Sequence, residues 1–202
     1  SCSLVGSEMC IRDSPKIQGY LEILEAKAQR LKTLTEDVVE ASKVSSGNIN
    51  LQLMDVNLVE MMNQTTGEFA EKFEHKNLEL IQTLPNEPAI IHVDGRRMWR
   101  VLENLYNNAA KYAMPGTRIY ADLRTDKDEV IFSLKNVSEY PLNFSADELT
   151  ERFVRGDVSR TTEGSGLGLS IAKDLTTLQG GKFELIIDGD LFKAQITFPI
   201  KN

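Results

Sequence analysis

Apolar residues recur every seven positions at the start of the chain, at Ile17, Leu24, Leu31 and Val38. Tyr20, Leu34 and Ala41 fill most of the companion positions, Lys27 is the exception, and glutamate and lysine occupy the other faces. The spacing predicts one long helix over 15–46, with Pro15 near its start and Gly47-Asn48 ending it. A seam of this kind serves a coiled coil or a helical hairpin, although an amphipathic helix packed on its own domain would carry the same stripe.

From residue 49 the period changes. INLQLMDV alternates as a strand does, and NLVEMMNQTTGEFAEKFEHKN reads as a helix with Leu58, Met61, Met62, Phe69 and Phe73 turned inward. LELIQTL is a strand, and NEPAII leads into another. Asp94 caps a strong helix, RRMWRVLENLYNNAAKYA, which stops before Pro115-Gly116. RIYADLR and VIFSLKN alternate on either side of TDKD, a hairpin signal, and KFELII and LFKAQITFPI flank Asp188-Gly189-Asp190 in the same way. Between these hairpins lie a polar, irregular stretch over 138–163 with a short helical piece, ADELTERF, and a helix SIAKDLTTLQ stopped by Gly180-Gly181. Strands that pair mostly as hairpins, with helices on one face, predict an α+β fold: an α/β sandwich on a mixed, mostly antiparallel sheet, preceded by the long N-terminal helix.

Composition narrows the classes. The chain has 202 residues, 41% of them hydrophobic, enough for a real core, and a formal net charge of −7, which argues against a general nucleic-acid or anionic-membrane binder. No apolar run is long enough to span a bilayer. Both cysteines, Cys2 and Cys10, fall in the first ten residues, so the body of the protein has no disulfide framework and no cysteine-based zinc site. Residues 1–14, SCSLVGSEMCIRDS, match neither the period nor the charge of the rest of the chain. They resemble a translated sequencing-adaptor leader, with a short native strand or tail as the alternative.

The chemistry concentrates in two places. On the helix over 96–113, Asn104 and Asn108 lie four apart and so share a face, which Lys111 and Tyr112 extend by a turn. Asparagine is a mediocre helix former, and Asn104, Asn107 and Asn108 crowd into five positions. Amide carbonyls can coordinate Mg²⁺ and a lysine can neutralise a phosphate; a solvated polar face is the plainer alternative. The second place is EGSGLGLSIAK, residues 163–173, where Gly164, Gly166 and Gly168 alternate with larger residues just ahead of a helix. Glycine lets backbone N–H groups approach a ligand, and a helix N-terminus suits an anion. Neither a P-loop nor a dinucleotide fingerprint fits, because Leu169 stands where either would need another residue.

Taken together, ENLYNNAAKYA resembles the N box of the GHKL (Bergerat) ATP-binding fold of bacterial sensor histidine kinases, ERFVRGD resembles the F-box region that opens their ATP lid, and EGSGLGLSIAK resembles their G2 box. The helix ending EASKVSSGNI resembles the second helix of the dimerisation and phosphotransfer hairpin. The resemblance covers about residues 15–200. It implies a partial hairpin over 15–48, an ATP-binding catalytic domain over 49–202, ATP and Mg²⁺ as cofactors, a response regulator as partner, and homodimerisation through the N-terminal helix. It implies the cytoplasmic portion of a membrane-anchored sensor.

Carried over residue by residue, the resemblance makes Asn108 the magnesium-binding asparagine and Asn104 the other N-box asparagine. Lys111 and Tyr112 line the phosphate and adenine sides. Phe153 is the F-box aromatic, Arg155 and Arg160 are lid arginines that meet the γ-phosphate, and Gly164, Ser165, Gly166, Leu167, Gly168 and Leu169 form the glycine loop. Related ATPases hold a glutamate that activates water where Asn104 stands; an amide cannot serve as a general base. Two departures stand out. The G1 box reads KNVSEY, so Asn136 replaces the adenine-recognising aspartate with an uncharged acceptor. The phosphoacceptor is missing: His75 precedes a lysine and His92 lies on a strand, and both read as ordinary histidines. The chain is thus expected to be a fragment holding the second hairpin helix and the catalytic domain. An ATPase of the chaperone or mismatch-repair kind, and a docking module whose nucleotide site has decayed, remain open.

Overall fold

The computed structural model describes residues 15–45, 49–143, 145–150 and 166–200. The chain divides into two compact units, Ser1–Val39 and Glu40–Asn202. The sequence places a domain boundary after residue 48, whereas this division falls inside the first helix, α1, which runs Pro15–Ser45.

In the first unit the α1 seam is partly exposed: Tyr20, Leu24 and Leu31 are each more than 60% exposed, while Ile17 and Leu34 are half-buried. The second unit begins with the last turns of the same helix. Ala41 is buried in this unit's core, Val44 and Ile49 pack against it, and Glu40 pairs with the guanidinium groups of Arg97 and Arg100.

After α1 come β1 (Leu53–Asn57), α2 (Leu58–His75), β2 (Glu79–Thr83), β3 (Ile90–Asp94) and α3 (Gly95–Tyr112). The chain continues through β4 (Arg118–Asp126), β5 (Glu129–Val137), a short α4 (Ala146–Thr150), α5 (Gly168–Leu178), β6 (Lys182–Asp188) and β7 (Leu191–Pro199). The main sheet has five strands in the order β2-β4-β5-β7-β6, with β2 parallel to β4 and every other pair antiparallel. β1 and β3 form a separate antiparallel pair. The α+β sandwich expected from the sequence is the fold observed.

Strand alternation divides the sheet into two unlike faces. Ile119, Ala121 and Leu123 of β4 register with Asn136, Leu134 and Phe132 of β5, which register in turn with Phe192, Ala194 and Ile196 of β7. All are buried, Asn136 being the single polar member. The opposite face carries polar partners such as Lys135 and Asp122, 2.8 Å apart. The helices therefore cover the apolar face. α3 is the central one, burying Met98, Val101, Leu102, Leu105, Tyr106 and Ala109. Phe69 and Phe73 of α2 meet Tyr106 at ring-centroid distances of 5.4 and 6.1 Å. Burial pushes the Tyr106 phenol above its ordinary range, with a weak opposing effect from its hydrogen bond to Thr66.

Local boundaries follow local chemistry. Asp94 caps α3 by accepting from the Arg97 amide at 3.2 Å, and its other oxygen accepts from the Gln52 amide at 3.0 Å. That bond lies where a strand over 49–56 is expected; β1 begins only at Leu53. Pro88 cannot donate to a ladder, so β3 starts at Ile90, after the proline. In the β4–β5 hairpin the ladder reaches Asp126↔Glu129, leaving Lys127 and Asp128 as the loop, with Lys127 at a φ of 45°. Both α2 and α5 end in Schellman geometry. In α5, Gly180 (φ 83°) donates to the Thr177 carbonyl and Gly181 to the Thr176 carbonyl. In α2, Asn77 takes the left-handed position (φ 53°), donating to the Glu74 carbonyl, and the Leu78 amide donates to the Phe73 carbonyl.

Candidate functional site

α3 and α5 pack directly against each other, which joins the asparagine-rich helix to the glycine run. The contact is close at one point: a Cβ placed on Gly168 would stand 3.6 Å from Asn104 Oδ1. Asn104 itself is half-buried, and its Nδ2 is buried with no hydrogen-bond partner among the described residues. Such orphaned amide donors are rare in folded proteins, because each costs about 1–3 kcal/mol of desolvation.

α5 begins at Gly168, two residues before the expected start at Ser170. The Ser170 hydroxyl does not cap the helix; it donates to the Leu167 carbonyl from within the first turn. The residue in the cap position is Leu167, which offers no side-chain acceptor. Among the described residues no side chain caps the first amides of α5, and a helix start of this kind favours an anion. Gly166 adopts a φ of 72°, a conformation that suits glycine. The side chain of Leu167 is fully buried and that of Leu169 packs against the core, so any part these two take in holding a ligand falls to their backbone.

At the far end of α3, Lys111 Nζ donates to the Tyr112 hydroxyl at 2.8 Å, and both residues are half-buried. The segment following β5 is stitched to this end of the helix. The Met114 amide donates to the Val137 carbonyl at 2.9 Å, the Glu139 amide to the Tyr112 carbonyl at 2.8 Å, and Ala113 bridges to Ser138. Asn136, at the end of β5, is 3% exposed. Its Nδ2 donates to the Val137 carbonyl at 3.2 Å, while its Oδ1 is buried without a partner among the described residues. A buried acceptor left open is what an adenine amino group would need, so the residues present fit a nucleotide.

Asn108 is half-buried one turn from Asn104 on α3, and its side chain makes no hydrogen bond among the described residues. Phe153, Arg155, Arg160, Gly164 and Ser165 lie outside the described residues. So does more than half of the polar, irregular stretch over 138–163. Its described part includes α4, entered through a reciprocal cap in which the Glu148 amide donates to Ser145 Oγ and the Ser145 amide donates to Glu148 Oε2 at 2.7 Å. The Ser145 amide and, after it, the Ser145 hydroxyl at 2.9 Å donate to the Glu148 carboxylate and hold it below its ordinary range. Lys173 of α5 donates to Thr150 Oγ1 at 3.0 Å, tying α4 to α5.

His75 and His92 stand apart from these residues. His75 is exposed, 3.7 Å from Glu71, and His92 lies 2.7 Å from Asp55 across the β1–β3 pair. Neither is on the first helix of a hairpin or beside the asparagine face. A cavity of about 520 Å³ lies between α2 and β2 and is lined by none of the motif residues. Two neighbours of the site went unread in the sequence. Lys76 donates to the Lys111 carbonyl at 2.6 Å and lies 3.5 Å from the Glu139 carboxylate. Lys76 belongs to no motif, Glu139 lies in KNVSEY without a role assigned to it, and their pairing comes from tertiary structure alone.

Comparison with known proteins bears on the fold and the family. Residues 93–201 match the family described as histidine kinase-, DNA gyrase B-, and HSP90-like ATPase. The sensor protein VanSC of Enterococcus gallinarum is 32% identical over 99% of the chain, which spans 57% of that protein's length. Among solved structures, the Acinetobacter baumannii histidine kinase AdeS is similar with a TM-score of 0.76 at 19% identity, over 90% of this chain and 84% of that one. The full-length ShkA structure in complex with AMPPNP is similar with a TM-score of 0.77 at 21% identity, over 94% of this chain and 40% of that one. Since the family match spans more than half of the chain and takes in both the asparagine helix and the glycine run, this protein belongs to the family of histidine kinase-, DNA gyrase B- and HSP90-like ATPases.

Proposed function

We propose that the chain binds Mg²⁺-ATP and is the catalytic part of a sensor histidine kinase. The carrying observation is a pair of orphaned polar atoms in motif residues: the buried donor of Asn104 and the buried acceptor of Asn136. On this reading Asn136 accepts from the adenine amino group and Tyr112 lines the adenine side. The first amides of α5, with the glycine-loop residues Gly164, Ser165, Gly166, Leu167, Gly168 and Leu169, face the phosphates. Lys111, Arg155 and Arg160 neutralise phosphate charge, and Phe153 borders the same site.

Asn108 holds the metal through its amide oxygen, with Asn104 beside it. When bound, Mg²⁺ supplies charge neutralisation to the triphosphate. Phosphoryl transfer then depends mainly on positioning and electrostatics. An imidazole nitrogen on another helix displaces ADP from the γ-phosphorus. Asn104 cannot take a proton from water, so direct hydrolysis is slow, which opposes the reading of a chaperone-type ATPase.

The acceptor histidine belongs to a hairpin helix beyond this chain, because His75 and His92 are both away from the site. The phosphorylated hairpin passes its phosphoryl group to a response regulator. The exposed seam of α1 forms a homodimer in the intact, membrane-anchored sensor, of which this is the cytoplasmic portion. Among the described residues no helix is long and apolar enough to cross a membrane.

The test is a calorimetric titration with the non-hydrolysable analogue AMPPNP, with and without Mg²⁺. Metal-dependent binding supports the kinase reading. No binding in either condition favours the decayed docking module, to which the uncharged Asn136 lends weight.

A further inference from the structure

The end of α3 that carries Lys111 and Tyr112 is held from two sides. Its last carbonyls have no partners within the helix. The Lys111 carbonyl accepts from Lys76 Nζ at 2.6 Å, and the Tyr112 carbonyl accepts from the Glu139 amide at 2.8 Å. The Lys76 ammonium lies 3.5 Å from the Glu139 carboxylate, which links the two holds. A cation at a helix C-terminus is also favoured by the helix dipole.

Lys76 is not there by chance of a flexible side chain alone. It is the last residue before the left-handed Asn77 in the Schellman stop of α2. The turn is pinned further by the Gly116 amide donating to the Asn77 carbonyl at 3.1 Å, and Leu78 is buried beneath it. Glu139 is equally constrained, three residues past Asn136 on the segment stitched to Ala113 and Met114. The two side chains are about one-third exposed, so the ion pair by itself is a small contribution. The charged bond to a main-chain carbonyl is the stronger element.

We propose that Lys76 and Glu139 are positioning residues that form a clasp, holding Lys111 and Tyr112 in register with Asn136. Neither residue touches the nucleotide; each acts through the end of α3. The consequence for binding rests on the nucleotide reading of the site given above.

The experiment compares the whole chain with Lys76→Met, Lys76→Arg, Glu139→Gln and the Lys76→Met/Glu139→Gln double variant. AMPPNP with Mg²⁺ is titrated calorimetrically, and exchange of the Glu139 amide is followed without nucleotide. Circular dichroism confirms that each variant is folded. Lys76→Met weakens AMPPNP binding about tenfold, while Lys76→Arg stays within about twofold of the parent. The double variant binds no worse than Lys76→Met, and the Glu139 amide exchanges faster in Lys76→Met. Unchanged binding in Lys76→Met, or an equal loss in Lys76→Arg, overturns the positioning role. A parent chain that binds no AMPPNP overturns the nucleotide reading instead, and the exchange rates still judge the clasp: equal rates in parent and Lys76→Met refute it.

Discussion

Gly168 stands against the side chain of Asn104, with room at 3.6 Å from Oδ1 for one methyl group and little more. This contact is where the first residue of α5 meets the middle of α3. Gly168→Ala should therefore fold and keep its binding, since 3.6 Å is ordinary van der Waals contact. Gly168→Val should push Asn104 aside, lowering stability by about 1–3 kcal/mol, as overpacking does, and weakening AMPPNP binding. Urea denaturation and titration of both variants check this. A valine variant with parental affinity would show that the Asn104 position is unimportant to the ligand.

Asn108 is proposed to hold the metal by its amide oxygen. Asn108→Ala should bind AMPPNP with little or no dependence on Mg²⁺, while the fold persists because the residue is only half-buried and α3 gains helix propensity. Titration across a range of Mg²⁺ concentrations reads the result. Full metal dependence in the alanine variant would remove Asn108 from the site.

Asn136 trades stability for an open acceptor. Replacing it with leucine removes an unsatisfied buried oxygen and extends the apolar row of Phe132, Leu134 and Phe192. Asn136→Leu should therefore equal or exceed the parent in thermal stability while losing adenine nucleotide binding. Asn136→Asp should lose stability in the free protein, because a carboxylate is buried without a partner, and should regain it on adding AMPPNP. Melting curves with and without the nucleotide separate these cases. Unimpaired AMPPNP binding by Asn136→Leu would dismiss adenine recognition at this residue.

Gly181 is required for packing rather than for its backbone angles. A Cβ there would lie 2.6 Å from the Phe198 ring and 2.9 Å from Thr176 Cγ2. Phe198 is 2% exposed, packed in the core and bordered on one side by a cavity of about 210 Å³ that Gln179 and Ile200 also line. Gly181→Ala should cost about 1–3 kcal/mol, seen as a lowered denaturation midpoint. A midpoint equal to the parent's would mean that the β7 end yields easily.

The seam of α1 predicts self-association. Leu24, Leu31 and Val38 are exposed, and burying each against a partner is worth roughly 1.5–3 kcal/mol. The chain should sediment as a dimer or larger species, and a chain beginning at Glu40 should sediment as a monomer that still binds AMPPNP. The truncation stops there because Ala41 is part of the core and Glu40 pairs with Arg97 and Arg100. A monomeric parent at high concentration would refute dimerisation through this helix.

The sequence by itself determined the elements and most of the chemistry. Heptad spacing marked α1, alternation marked β4, β5 and β7, and Asp94 and Gly180-Gly181 marked the start of α3 and the end of α5. These features are local: a period or a cap depends on neighbours within one turn or one strand. The asparagine face and the glycine run were legible for the same reason.

Tertiary structure decided which partners those faces found. A period says that a residue lies on a face, not what covers it. Ala41 and Leu31 are both seam positions, yet one is buried in the core and the other is 64% exposed. Nothing local announces that β2 pairs in parallel with β4, or that β5 neighbours β7 in the sheet. The contact of Asn104 with Gly168, the unmet oxygen of Asn136 and the reach of Lys76 to the Lys111 carbonyl arise only when distant segments are packed together, because hydrogen bonding and desolvation are set by what lies within a few ångströms in space and not by distance along the chain.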